Sequence, residues 1–176
     1  MEKLLFIDST VRPQNISRTY KLAQKVLEEN VKTGLYETET VRLLDNEEKL
    51  LPLNYKRLEE RTALVQKKAY DNSLFSFARQ FADADLIVIA APFWDMSFPA
   101  VLKCYFEQVS VSGVTFYYNE KNEAVGLCKA KKIIYVTTAG GKRYYNGGFE
   151  YVKGLCENLF GIKSFEEVYE ENLDAL

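Results

Sequence analysis

Apolar residues follow two alternating patterns along the chain: short unbroken runs, and longer stretches at helical spacing. Lys3-Leu-Leu-Phe-Ile7 is an apolar run without alternation, as a strand buried on both faces requires. After the polar loop 8–16, Ser17 suits a helix N-cap. Leu22, Ala23, Val26, Leu27 and Val31 then recur on one side until Gly34 stops the helix. Residues 38–44 carry the β-branched content of a second strand. The stretch 45–72 has no simple pattern: a polar, Pro52-interrupted part precedes a charged helical piece around residues 56–70. Ser73 then caps a stripe of Leu74, Phe77, Ala78, Phe81 and Ala82, and Leu86-Ile-Val-Ile-Ala-Ala91 follows as a third strand, apolar on both faces. Pro99 suits the first turn of the next helix, which carries Val101, Leu102, Tyr105, Phe106 and Val109 on one side. Residues 114–118 and 124–127 flank Asn119-Glu-Lys-Asn-Glu123 as an excursion hairpin. Ile133-Ile-Tyr-Val-Thr137 is a fourth core strand, residues 151–160 form a helix closed by Gly161, and residues 163–169 form a fifth strand.

Strands alternating with helices predict an α/β fold, a doubly wound, flavodoxin-like sheet of five parallel strands in the order 2-1-3-4-5 with helices on both faces. With 176 residues and no repeat, low-complexity segment or linker, a single domain over 1–176 is expected, and 47% hydrophobic residues suffice for a core. Lys and Arg number 23 against 25 Asp and Glu, so no positive surplus favours nucleic acid as a partner. The longest apolar run, Leu86 to Ala91, is far short of the roughly 20 residues that cross a bilayer. Asp8 breaks the opening segment too early for a secretory leader, so no membrane role and a cytoplasmic location are expected. Cys104, Cys128 and Cys156 are widely spaced without a CxxC pair and read as small buried hydrophobes. The histidine count of zero is the most informative, because Ser-His-Asp triads, Cys-His dyads and His-ligated metal sites all need an imidazole. No metal is expected, and the chemistry falls to carboxylates, phenols, hydroxyls and lysines, or to a bound cofactor.

Ligands of open parallel sheets sit beyond the carboxyl ends of the strands, near the point where strand order reverses. That directs attention to the loops after the first, third and fourth strands. The first holds Ser9, Thr10, Arg12, Asn15, Ser17, Arg18 and Thr19 at a helix N-terminus, where hydroxyls, free amides and arginine suit a phosphate. No GxGxxG or GxxxxGK[ST] is present, which disfavours dinucleotide and P-loop sites. A plain N-cap with solvated arginines would look the same. In the second loop, Pro92-Phe-Trp-Asp-Met-Ser-Phe98 places Phe93, Trp94 and Met96 where a flat apolar ring could rest, or where they merely plug the sheet. In the third, Thr137-Thr-Ala-Gly-Gly141 supplies glycines for close backbone approach, or only a turn into the next helix. One phosphate at the first loop and a flat ring across the other two describe flavin mononucleotide (FMN).

In these residues the chain resembles the FMN-dependent NADH-azoreductase and NAD(P)H-quinone oxidoreductase family of flavodoxin-like proteins. The matching segments are Ser9…Ser17-Arg-Thr19, Ala84-Asp-Leu-Ile-Val-Ile-Ala-Ala-Pro-Phe-Trp94, Leu102-Lys-Cys-Tyr-Phe106, Gly113-Val-Thr-Phe-Tyr-Tyr118, Val125-Gly-Leu127 and Thr137-Thr-Ala-Gly-Gly141. The resemblance implies a homodimer with FMN at the subunit interface. NADH or NADPH would reduce it, and a small-molecule quinone, azo or nitro acceptor would reoxidise it in a ping-pong cycle. By matching position, Ser9, Ser17, Arg18 and Thr19 would hold the phosphate, while Pro92, Phe93, Trp94, Asp95 and Met96 would lie along the isoalloxazine. Thr138, Ala139, Gly140 and Gly141 would meet its pyrimidine side, and Phe116 and Tyr118 would wall the substrate space, from the partner subunit in one arrangement. No side chain is expected to act as a catalytic acid or base.

The chain departs from the family pattern in places. The family often has Asn where Asp95 stands, and a carboxylate beside the flavin disfavours an anionic reduced ring. Arginine is frequent where Ala139 stands, and a histidine often follows the glycine pair, where this chain has Lys142 and Arg143. A closing helix normally follows the fifth strand, whereas this sequence ends at Leu173-Asp-Ala-Leu176, so the expectation is either a less covered sheet edge or a truncated chain. Two rival readings are a flavodoxin-like electron carrier with a protein redox partner, and a flavin-free interaction module.

Overall fold

Five strands form one parallel sheet in this computed structural model, which describes residues 1–174. The chain runs β1 (Glu2–Asp8), α1 (Arg18–Val31), β2 (Tyr36–Arg42), α2 (Tyr55–Gln66), α3 (Ser76–Asp83), β3 (Leu86–Ala90) and α4 (Ala100–Val109). It continues through β4 (Phe116–Tyr118), β5 (Ala124–Gly126), β6 (Lys132–Thr138), α5 (Gly147–Leu155) and β7 (Ser164–Glu170). Numbered along the whole chain, the sheet order is β2-β1-β3-β6-β7, not 2-1-3-4-5. The hairpin strands take the fourth and fifth places in sequence but pair only with each other, antiparallel, with Phe116 opposite Gly126. Strand order therefore reverses at β1, between β2 on one side and β3 on the other, with Asp8 level with Arg42 and Ala90.

The unbroken apolar runs arise because both sheet faces are covered. Leu5, Ile7, Ile87, Ile89, Ile133 and Tyr135 point to one side, into a core closed by α3, α4 and α5. Leu4, Phe6, Leu86, Val88, Ile134 and Val136 point to the other, against Leu22, Ala23, Val26 and Leu27 of α1. The α1 stripe is shorter than its spacing suggests, since Val31 at its end is exposed. The cap of α3 also differs from expectation: Asn72, not Ser73, accepts from the Leu74 amide at the head of a 3₁₀ turn over Ser73–Phe75. That turn rotates Leu74 outward and puts Phe75 inside. Pro99 stands at the N-cap of α4, one place before its first turn.

After α5 the helix widens into a π turn over Cys156–Phe160 and ends at Gly161, whose φ of +81° is the left-handed conformation a glycine cap adopts without strain. The hairpin docks here. A Cβ on Gly126 would run into the backbone of Phe160 and Gly161, so this strand needs glycine for close approach. Cys156 is buried, while Cys104 and Cys128 are half-buried. Burial raises all three thiols, Cys128 to about 12 and Cys156 well above its ordinary value. A raised pKa leaves the neutral thiol dominant, so iodoacetamide at pH 8 is expected to spare Cys128 and Cys156 in the native protein and to modify all three after unfolding, as read by mass spectrometry. No helix among the described residues is long and apolar enough to cross a membrane.

Candidate functional site

At the carboxyl end of β1 the chain is organised around a buried carboxylate. Asp8 Oδ1 accepts from the Thr10 amide at 2.9 Å and its hydroxyl at 2.6 Å, and Oδ2 accepts from Gln14 at 3.1 Å. Arg42 Nε, from β2, lies 3.7 Å from the same oxygen. Two points of the loop are thus tied to one charge, which fixes its path without glycines. Ser9 is spent on this scaffold, because both its amide and its hydroxyl donate to the Ala90 carbonyl of β3. Ser17 caps α1 by accepting from the Tyr20 amide at 3.2 Å, leaving its own hydroxyl proton free to donate. The Arg18 and Thr19 amides, at the first positions of α1, have no intrahelical partner to give to, and the positive end of the helix dipole adds to them. Thr19 and Thr138 share a hydroxyl–hydroxyl bond of 2.6 Å that joins α1 to the end of β6. One of their two protons is used there and the other remains available.

Beyond β3, Phe93 donates its amide to the Thr138 carbonyl, holding the aromatic loop to β6. Trp94 and Ser97 then exchange both backbone bonds across a two-residue turn whose central residues, Asp95 and Met96, have φ of +49° and +65°. This is the geometry of a type I′ turn, where glycine or asparagine is usual. A methionine there is strained and held by its surroundings, notably by Gly147 donating to the Met96 carbonyl. Asp95 and Met96 are exposed at the tip, and Trp94 is 44% exposed beside them.

The loop after β6 meets the C-terminal segment. Asn172, Leu173 and Asp174 donate their amides to the carbonyls of Gly141, Ala139 and Gly140, and the Ala139 amide donates to Glu170. Among the described residues, the amides of Gly140, Gly141 and Lys142 in this loop have no backbone partner. Lys142 and Arg143 are directed elsewhere. Lys142 lies over the Tyr144 ring, and Arg143 pairs with Glu167 and stacks on Tyr169, both on β7.

These three loops converge on one cleft of about 190 Å³, lined by Val11, Arg12, Ser17, Arg18, Thr19, Pro92, Phe93, Trp94, Thr138, Gly140 and Asp174. Seven of the expected residues beside Pro92 are therefore together: Ser17, Arg18, Thr19, Phe93, Trp94, Thr138 and Gly140. Ser9 lies behind the wall, Asp95 and Met96 on the rim, and Ala139 is buried beneath. Phe116 and Tyr118 do not line this cleft. Phe116 is buried in the main core with Tyr118 edge-on to it at 5.5 Å. Val11 and Asp174 also line the cleft; loop position alone points to Val11, but nothing local in the sequence marks Asp174. Two guanidinium groups, a helix N-terminus and unspent hydroxyls beside aromatic side chains suit a dianion attached to a flat apolar group. A larger groove of about 390 Å³ between residues 48–61 and α3 is lined by Glu48 and Glu60 as well as Lys49, Arg57 and Arg61, and both arginines donate to backbone carbonyls, of Pro52, Glu107 and Ser110.

A parallel sheet with its cleft at the reversal of strand order defines the nucleotide-binding class of open α/β proteins. The chain belongs to the flavodoxin-like fold family, which it matches over residues 2–174. An FMN-dependent NADH:quinone oxidoreductase of Clostridium perfringens is 35% identical over 179 residues, covering all of this chain and 89% of that protein. A counterpart from Clostridium acetobutylicum is 34% identical over 185 residues with the same coverage. Among solved structures, an FMN-dependent NADH-azoreductase from Bacillus anthracis in complex with FMN superposes with a TM-score of 0.79 at 22% identity, over 100% of this chain and 90% of that one. Another azoreductase from Bacillus anthracis gives the same score at 24% identity, over 99% and 88%. At that identity the likeness speaks for the fold.

Proposed function

We propose that this protein is an FMN-dependent NAD(P)H oxidoreductase that reduces quinone, azo or nitro acceptors, acting as a homodimer in the cytoplasm. The observation that carries this reading is the single cleft where the N-terminus of α1, with Ser17, Arg18 and Thr19, faces the aromatic end of β3. The names of the curated relatives point the same way. When bound, FMN would supply the redox chemistry, hydride transfer from a nicotinamide and reduction of the acceptor. The phosphate is assigned to the α1 amides, the Arg18 guanidinium, the Ser17 hydroxyl and the proton left over from the Thr19–Thr138 pair. Pro92, Phe93 and Trp94 back the ring, with Asp95 and Met96 presenting the turn at its edge. The Gly140 and Gly141 amides are assigned to its pyrimidine side, with Thr138 and Ala139 setting their position. Ser9 acts by shaping the loop. Phe116 and Tyr118 are assigned to the partner's site, because they do not line the cleft of their own chain.

This chain's contribution is alignment and exclusion of water, consistent with a cleft that offers no histidine. The test is anaerobic addition of NADH or NADPH to FMN-loaded protein, followed by initial rates with a quinone and an azo dye. Bleaching of the visible flavin band and parallel double-reciprocal lines are expected. A flavin that binds but stays oxidised with both donors would instead support an electron carrier.

A further inference from the structure

The phosphate end of the cleft already holds an anion from the chain itself. Arg18 Nη2 lies 2.7 Å from Asp174 Oδ1, and its Nη1 donates to the Leu173 carbonyl at 2.8 Å. The Asp174 amide donates to the Gly140 carbonyl at 2.8 Å, and a Cβ on Gly140 would collide with the Asp174 carboxylate. The close approach expected of a ligand at this glycine is made by a side chain. Asp174 is the sole carboxylate among the cleft-lining residues of the described chain.

We propose that Asp174 is an affinity-determining residue of the cofactor site, an internal counter-ion that holds the Arg18 guanidinium and must yield it when the flavin phosphate enters. This rests on the FMN reading above. A carboxylate and a phosphate dianion repel at contact distance, so both cannot occupy the arginine. The carboxylate is a weak competitor by design of its surroundings: Asp174 is 68% exposed and Arg18 36%, and ion pairs so exposed contribute little. The backbone bonds of residues 172–174 to the 139–141 loop do not involve that side chain, so it can turn to solvent while the segment stays in place. The arrangement moderates the affinity for phosphorylated flavin and leaves that for unphosphorylated flavin unchanged, since only the phosphate competes with the carboxylate for Arg18.

The experiment is fluorescence titration of FMN-stripped protein with FMN, riboflavin and inorganic phosphate, comparing the unaltered chain with Asp174→Asn and Asp174→Ala at low and high salt. Both variants are expected to bind FMN about three- to tenfold more tightly at low salt, with a smaller gain at high salt. Phosphate should compete better with FMN by a similar factor, and riboflavin affinity should not change. Equal or weaker FMN binding by both variants, with the unaltered chain binding FMN, would overturn the role of Asp174 and leave the cofactor reading intact. Failure of the unaltered chain and both variants to bind FMN would overturn the cofactor reading, and this proposal with it.

Discussion

Replacing Ser17 by Asp is expected to weaken FMN binding by about a hundredfold or more while leaving the fold unaffected. Aspartate is as good an N-cap as serine, so the Tyr20 amide keeps its acceptor and the α1 dipole gains a favourable charge. The change in folding stability should stay within about 0.5 kcal/mol. Toward a phosphate the same carboxylate is repulsive. At roughly 4 Å and an effective dielectric near 20, one pair of like charges costs about 4 kcal/mol, more than the hundredfold loss requires. Titration with FMN and riboflavin separates this from general damage, because riboflavin has no phosphate and should bind both proteins alike. Unchanged FMN affinity would remove Ser17 from the phosphate site.

The second large effect lies in the core. Phe81 is fully buried on α3, edge-on to Phe160 at 5.3 Å and tilted against Tyr105 at 6.4 Å. Phe81→Ala should cost about 3–5 kcal/mol, from lost burial plus the cavity left between the sheet and two other rings. That is a large fraction of the roughly 5–15 kcal/mol typical of a domain. Because Phe160 leads into the glycine turn on which the hairpin rests, the loss should also loosen Gly126 and its neighbours. Urea unfolding gives the first quantity, and hydrogen exchange at the 116–126 amides the second. A cost below about 1 kcal/mol would mean the cavity collapses freely.

The elements that depend on burial alone were legible in the sequence. Leu86 to Ala90 reads as a strand because both its faces are covered, and Ser17 reads as a cap because polar loop gives way to an apolar stripe. What sequence could not show depends on partners distant along the chain. Ser9 matched the family pattern by position, yet its hydroxyl is taken by Ala90, more than 80 residues away. The Gly140–Gly141 pair announced close approach without saying by what, and Asp174 became visible only through the fold. Residue type points to Met96, and family position to Asp95, as ring contacts; their positive φ values belong to a tight turn whose backbone geometry no residue of this kind advertises. Phe116 and Tyr118, which by resemblance wall the substrate space from the partner subunit in one arrangement, do not line the cleft of their own chain.

Whether the ends of β1, β3 and β6 together grip one phosphorylated flavin is tested most directly by a crystal structure of the FMN-soaked protein. The expected density has the phosphate on the Arg18 and Thr19 amides, the ring against Trp94, and the Asp174 carboxylate swung off Arg18. Density for FMN at the 48–61 groove, or no density near Ser17 at saturating FMN, would contradict it.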